Sequence, residues 1–314
     1  MEGVTNALNI VLSIFVMIGI GMLLPVTKLF KDDISPVLSK LVVKIALPAM
    51  IINNIFGKYS RETLIDSAPS LLISFINVGF CLLVGIALCR LFRIDKKRAG
   101  AFTCLFTFCN SAFIGVPITQ ALFGADVVPI TLLYYLANTT FFWTLGYAMM
   151  CRDGDPNGKA KIRLKKVFSL PVIVLFISAV LVFFRVKLPA FVLSATNYVG
   201  SLVTPLSLMY IGLLLYRMIK NRTVRWEKEY LPILIGRFLL CPLLMLLLAK
   251  LAGVAELNRN VLLMEACMPC MSQTAIVAGE CRSDDEFVAG GVALSTILCL
   301  AVIPAYMAVI EFLL

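Results

Sequence analysis

Phe108-Cys109-Asn110-Ser111-Ala112-Phe113-Ile114-Gly115-Val116-Pro117 lies in the middle of an otherwise apolar run. A helix that only spans a bilayer has no reason to collect Asn, Ser, Gly and Pro at its centre. Pro117 lacks an N–H and disfavours α geometry at Val116, and Gly115 loosens the same turn. Backbone groups released at bilayer depth must be satisfied by protein, water or a ligand, because lipid offers no partner. A second interruption, Met268-Pro269-Cys270-Met271-Ser272-Gln273, stands in a later apolar run. Broken helices in matching halves of a chain point to a secondary transporter with a site near the bilayer midplane.

Composition agrees with a membrane setting. The 314 residues are 61% hydrophobic and only 15% charged, with a mean hydropathy of +0.96, whereas a soluble domain carries about 25% charge. Long continuous apolar runs favour helices over a barrel, whose strands alternate over about ten residues. The net charge of +10 is read as a topology signal in short loops, with no nucleic-acid partner. Glu2 is the one charge before the first run, so that run lacks the basic start of a cleavable signal and is read as a retained span. Ten cysteines and no histidine argue against ordinary zinc sites, and no metal or cofactor is expected. Cys81, Cys89, Cys104, Cys109, Cys241 and Cys299 sit in apolar runs, where Cys serves as a small apolar residue. The C-x-x-C spacing of Cys267 and Cys270, with Cys104 and Cys109 around the first break, leaves a redox or metal role as the alternative.

Ten apolar segments can be drawn, at 5–26, 35–57, 67–89, 99–123, 127–150, 169–188, 190–216, 230–251, 259–281 and 287–313. Each is near the ~20 residues that a span needs. Lys and Arg fall unevenly between the loops on the two sides, twenty against six. Lys28, Lys31, Arg90, Arg93, Lys96, Lys97, Arg152 and Arg217 belong to the rich side, which is cytoplasmic. Both termini then lie on the extracytoplasmic side of the cell membrane.

The connection at 152–168, with Asp-Gly-Asp-Pro-Asn-Gly and a basic run, reads as a solvated linker between halves 1–151 and 169–314. Five spans per half invert the second half relative to the first, so internal similarity means an inverted repeat. Leu47-Pro48-Ala49 answers Thr204-Pro205-Leu206, and Asp126 answers Asp284, each pair about half the chain apart.

The breaks supply the candidate binding groups. A half-helix beginning near Pro117 presents free N–H groups and a positive dipole end, suited to a carboxylate. The preceding half-helix offers free carbonyls. Asn110, Ser111, Ser272, Gln273 and Thr274 add neutral hydrogen-bonding groups. The competing reading of each break is a kinked helix whose Pro shapes packing. Ionisable residues at membrane depth are further candidates, and Lys44, Arg237, Glu265 and Glu280 are of this kind. Arg237 and Glu265 make either a structural ion pair or leave Glu265 as a proton carrier. Lys44 attracts substrate, stands in for a cation, or snorkels. Glu280 is either a coupling group or a solvated end residue.

Asn110-Ser-Ala-Phe-Ile-Gly115-Val-Pro117 resembles the N-x-x-x-x-G-x-P signature of the auxin efflux carrier family, which includes plant auxin carriers and bacterial organic-acid permeases. Lys40-Leu-Val-Val-Lys-Ile-Ala-Leu-Pro48 is similar to that family's second span, and Met268-Pro269 with Ala278-Gly-Glu280 to its ninth. The resemblance covers essentially the whole chain. It implies an all-α integral membrane fold, like that of sodium/proton antiporters and bile-acid symporters. Two inverted five-helix repeats then form a scaffold domain (spans 1, 2, 6, 7) and a transport domain (spans 3–5, 8–10) with broken crossover helices 4 and 9. It also implies an elevator cycle, a homodimer, organic-anion substrates, and carry-over onto Asn110, Gly115, Pro117 and Pro269. The short linker departs from the long loop of the plant carriers, and Cys270 to Gln273 depart from the small-residue and Asn pattern of bacterial members.

The expected function is therefore secondary transport of a small organic anion, a dicarboxylate such as malate or malonate or an auxin-like acid. A sodium-coupled symporter is the alternative within transport, and a non-transporting receptor or assembly subunit the alternative outside it. An intramembrane enzyme is not expected: no pair of Asp lies within the apolar runs, no H-E-x-x-H and no Ser–His set occurs, and Ser111 or Ser272 with Lys44 is the one imaginable Ser–Lys pair.

Overall fold

A computed structural model describes residues 2–27, 34–155, 170–220 and 226–313. Much of the predicted linker, with Lys159, Lys161, Arg163, Lys165 and Lys166, lies outside the described residues, as do Lys28, Lys31, Arg222 and Arg225. The described residues are helical and contain no strand. In chain order the helices are α1 (Glu2–Leu23), α2 (Ser35–Leu41), α3 (Leu47–Lys58), α4 (Arg61–Asp66), α5 (Ala68–Leu91), α6 (Ala99–Thr107), α7 (Val116–Phe123), α8 (Val128–Phe141) and α9 (Tyr147–Gly154). They continue with α10 (Leu170–Phe183), α11 (Ala190–Gly200), α12 (Val203–Lys220), α13 (Tyr230–Ile235), α14 (Cys241–Leu251), α15 (Glu256–Ala266), α16 (Gln273–Cys281) and α17 (Asp285–Leu313).

Among the described residues, five helical stretches are long and apolar enough to cross a membrane: Ser35–Gly57, Leu64–Leu91, Ala190–Arg217, Tyr230–Leu251 and Asp285–Glu311. Their outward faces are apolar, the reverse of a soluble protein. Leu72, Ile76, Phe80 and Leu83 form one exposed row along α5, and Leu239, Leu243 and Leu247 another into α14. Rows at this spacing share one helix face, and such a surface suits lipid.

Among the described residues, π-turns at Val42–Ala46, Ser111–Gly115, Phe142–Gly146 and Gly236–Leu240 interrupt the α geometry. Three of them lead into an α-helix with proline at its second position: Pro48 in α3, Pro117 in α7 and Pro242 in α14. The cause is local. A proline ring presses on the carbonyl four residues back, and here that residue (Lys44, Phe113 or Phe238) always lies inside the π-turn. A wider turn relieves the clash. The Phe238 carbonyl, which cannot receive an N–H from Pro242, instead accepts the Tyr306 hydroxyl at 2.6 Å.

The chain forms two compact units. The first comprises Met1–Pro69, Ala112–Leu132 and Phe168–Arg217. In it α3 packs on α10 and α11, Asn53 donates to Asn197 at 3.2 Å, and Thr204 donates to Gln120 at 3.0 Å. A Cβ on Gly212 would stand 2.0 Å from the Ile18 carbonyl oxygen, so α12 meets α1 backbone to backbone.

The second unit comprises Ser70–Ser111, Leu133–Val167 and Met218–Leu314. Helix α6 runs through it, with Gly100 to Thr107 all buried. Asp153, at the end of α9, caps this helix: its carboxylate accepts the N–H groups of Gly100 and Ala101, each at 2.8 Å. The Ser283 hydroxyl donates to the same carboxylate at 3.1 Å. Helix α9 thus continues to Gly154, into the stretch read as linker. Cys151 and Cys281, at the ends of α9 and α16, form a disulfide; the remaining eight cysteines are free, Cys267 and Cys270 among them.

Burial pushes the Asp153 carboxyl up from its ordinary 3.8 to about 6, against the downward pull of the Gly100 and Ala101 N–H groups. The folded protein therefore holds this proton over a range where the unfolded chain releases it. The stability so contributed is full below pH 3.8 and is lost as pH rises through about 6. Thermal melts of purified protein between pH 4 and 8 should contain this downward slope. The Asp153→Asn variant should lose the slope and, having one acceptor fewer for three donors, about 1–2 kcal/mol at pH 7.

Candidate functional site

Both sequence breaks are real interruptions, and the second unit brings them together. Helix α6 stops at Thr107 and the helix resumes at Ser111; α15 stops at Ala266 and the helix resumes at Gln273. The two extended pieces pair antiparallel through Cys109 and Cys270. Asn110 donates its N–H to the Pro269 carbonyl at 2.8 Å, and Met271 donates to the Phe108 carbonyl at 3.0 Å.

Neighbouring helices satisfy the other backbone groups. The Asn138 side chain on α8 receives the Cys109 N–H at 3.2 Å and gives its own N–H to the Cys109 carbonyl at 2.9 Å. On the opposite piece, the Ser295 hydroxyl of α17 receives the Cys270 N–H at 3.1 Å. One polar side chain therefore steadies each piece. The sequence reading missed both, although Asn138-Thr-Thr and Ser295-Thr carry the signal that exposed Asn110, polar groups in the middle of apolar runs.

The carbonyls at the two half-helix ends converge on Arg237. This fully buried guanidinium donates to Ala266 at 2.8 Å, to Phe106 at 3.3 Å, and through a shorter contact to Thr107. Each half-helix C-terminus carries about half a negative charge, and one delocalised cation faces both. Gly236 makes the approach possible, since a Cβ there would meet the Phe106 ring at 2.0 Å. Arg237 and Glu265 do not pair. The Glu265 carboxyl, also fully buried, accepts the Ser111 hydroxyl at 2.5 Å. Its other oxygen has no hydrogen-bond partner, and neither do the buried hydroxyls of Thr107 and Thr274 or Nε of Arg237.

Of the remaining candidates, Asn110 donates to the Ser272 hydroxyl at 2.8 Å, a direct bridge between the breaks. Ser272 stands at the N-terminus of α16 and does not cap it, and both Ser272 and Gln273 are half-buried. Pro269 lies in the extended piece and supplies its carbonyl. The first half-helix resumes at Ser111, not near Pro117, so the N–H groups at its start belong to Ser111 and the residues just after it. The π-turn explains the offset: Pro117 lies two positions into the following α-helix, and Gly115 closes the turn. Gly115 and Pro117 belong to the first unit, as does Lys44, which is exposed in its own π-turn. Glu280 is exposed in the last turn of α16. Cys267 and Cys270 donate to the carbonyls of Met264 at 3.1 Å and Leu105 at 3.2 Å, as packing residues do.

An all-helical chain with lipid-facing apolar rows and a polar, broken-helix centre is a multi-pass membrane transporter. The chain belongs to the membrane transport protein family, whose model matches residues 7–307; this is the auxin efflux carrier family of the sequence resemblance. It is similar to an uncharacterized transporter of Methanocaldococcus jannaschii, with 26% identity over 304 residues that cover 94% of this chain and 96% of the relative. An uncharacterized transporter of Methanothermobacter thermautotrophicus is 25% identical over 309 residues, covering 96% and 97%.

Arg237→Gln keeps a donor but surrenders the charge and at least one of three carbonyls. Thermal or chemical unfolding of the purified variant should show a loss of at least about 2 kcal/mol, because each buried acceptor left unpaired costs about 1–3 kcal/mol. Arg237→Lys should fall between the two, since an ammonium lacks the planar fork.

Proposed function

We propose that the protein is a secondary transporter of a small organic anion, a dicarboxylate such as malate or malonate or an auxin-like carboxylic acid. The observation that carries this reading is the antiparallel pairing of the two breaks, bridged by Asn110 and Ser272. The side chains of Ser111, Gln273 and Thr274 are uncharged, and the helix that resumes after each break begins with free N–H groups and a positive dipole end. Dipoles and amides hold a carboxylate firmly enough for recognition and loosely enough for release. The family resemblance adds Gly115, Pro117 and Pro269 to the candidate residues.

In this reading the chain makes ten spans as two inverted five-span repeats, with both termini outside the cell membrane. Spans 3–5 and 8–10 move as a transport domain against a scaffold of spans 1, 2, 6 and 7, in an elevator cycle within a homodimer. Sodium is not the coupling ion. The carbonyls at the half-helix ends, the natural ligands for such a cation, are held by a guanidinium that belongs to the chain. Glu265, with one carboxylate oxygen unpartnered, is the buried carboxyl beside the breaks that can carry a proton.

Reconstituted proteoliposomes test the reading with radiolabelled malate, malonate and indole-3-acetate. Wild-type protein should take up at least one of them equally well in sodium and in choline buffers. Asn110→Ala should still fold, with a melting temperature lowered only by the loss of its bond to Ser272, and should reduce that flux about tenfold or more, as expected for losing about 1.4 kcal/mol or more of site interaction. Full flux in the variant removes Asn110 from the site. Sodium dependence returns the symporter alternative, and the absence of binding and flux for all three acids removes organic-anion transport.

A further inference from the structure

A second feature of the same unit lies apart from the breaks. A cavity of about 440 Å³ opens beside the start of α6, lined by Ile86, Arg90, Lys96, Met149, Arg152 and Asp153 among others. This is an ordinary volume for a small-molecule site. Three cations face it, and among the described residues none of them forms an ion pair. Asp153, the one acidic lining residue, is already engaged with two N–H groups and a hydroxyl. Even with the Asp153 carboxylate counted against the three cations, the cavity keeps a net positive charge.

The walls grade from apolar to basic along two helices. On α5, Leu83, Ile86 and Arg90 follow at spacings of three and four and so share a face. Leu145, Met149 and Arg152 follow at four and three through the π-turn into α9. Leu83 and Leu145 are exposed, at 66% and 44%, in a protein whose outward apolar rows face lipid. The cavity thus has a basic mouth at the Lys- and Arg-rich rim and two apolar tracks leading down from it. A soluble anion would use the mouth alone. An amphiphilic anion uses both.

We propose that this cavity binds the phosphate of an anionic phospholipid, with Arg90, Lys96 and Arg152 on the headgroup and an acyl chain along Leu83–Ile86 and Leu145–Met149. Basic pockets between membrane helices take such headgroups, and each Lys or Arg at a membrane surface adds a comparable increment of attraction. The assignment is independent of what the protein carries. It concerns the N-terminus of α6, the helix that ends in the first break, so an occupied cavity steadies the element that holds the candidate site.

The test uses the purified full-length protein in a neutral detergent, titrated separately with phosphatidylglycerol, phosphatidylcholine and inorganic phosphate. Bound lipid is read by native mass spectrometry and stability by thermal shift. Phosphatidylglycerol should be retained and raise the melting temperature, and phosphatidylcholine should do neither. Arg90→Gln with Arg152→Gln should weaken phosphatidylglycerol binding about tenfold or more. The charge-matched control, Arg93→Gln with Lys97→Gln, removes two rim cations that do not line the cavity and should bind as the wild type does. Equal retention of the two lipids overturns the proposal, as does an equal loss in both double variants, which would reduce the effect to diffuse rim charge. Stabilisation by inorganic phosphate equal to that by phosphatidylglycerol overturns the lipid as occupant.

Discussion

The second unit depends on the contact between the Arg237 guanidinium and the carbonyls that end α6 and α15. Two half-helices that stop at bilayer depth turn negative ends toward each other, in a place where lipid supplies neither donor nor counter-charge. Left alone, that arrangement repels itself. A single delocalised cation reaching both ends converts the repulsion into a clamp, and the planar fork of arginine lets separate nitrogens serve separate carbonyls. The other contacts at the breaks, from Asn138, Ser295 and the Asn110–Ser272 bridge, are neutral and local. They complete a framework that the guanidinium makes tenable.

The same rule accounts for three of the four π-turns among the described residues. Proline inside an apolar helix frees a carbonyl, and at bilayer depth a freed carbonyl needs a new partner. Widening the turn before Pro48, Pro117 and Pro242 accommodates the ring without ending the helix. At Pro242 the freed carbonyl also gains the Tyr306 hydroxyl. Breaks and π-turns are thus two answers to one problem, a missing backbone bond where water is absent.

This shows what sequence alone discloses about such a protein. Asn110, Pro117, Pro269 and Ser272 are legible because polar and helix-breaking residues stand out in an apolar run. The all-helical membrane class and the family follow from hydropathy and from the Asn110–Pro117 signature. The partners of buried charges are not legible in the same way. Arg237 and Glu265 look like a pair on a list of intramembrane ions, yet one takes carbonyls and the other a serine hydroxyl, because three-dimensional convergence decides between acceptors that look alike in one dimension. The start of the first half-helix was misplaced by several residues for a related reason: Pro117 signals a helix start, but a π-turn lets the helix begin ahead of it at Ser111.

The Cys151–Cys281 bond joins positions 130 residues apart, which makes the chain a closed ring with two tails. Everything from α10 to α15 hangs inside that ring, including α10, α11 and most of α12 from the other unit. A peptide bond cut anywhere within it leaves one covalent object, and only thiol reduction releases two. The topology of the molecule, and not just its packing, is therefore subject to the redox state of a single pair of sulfurs.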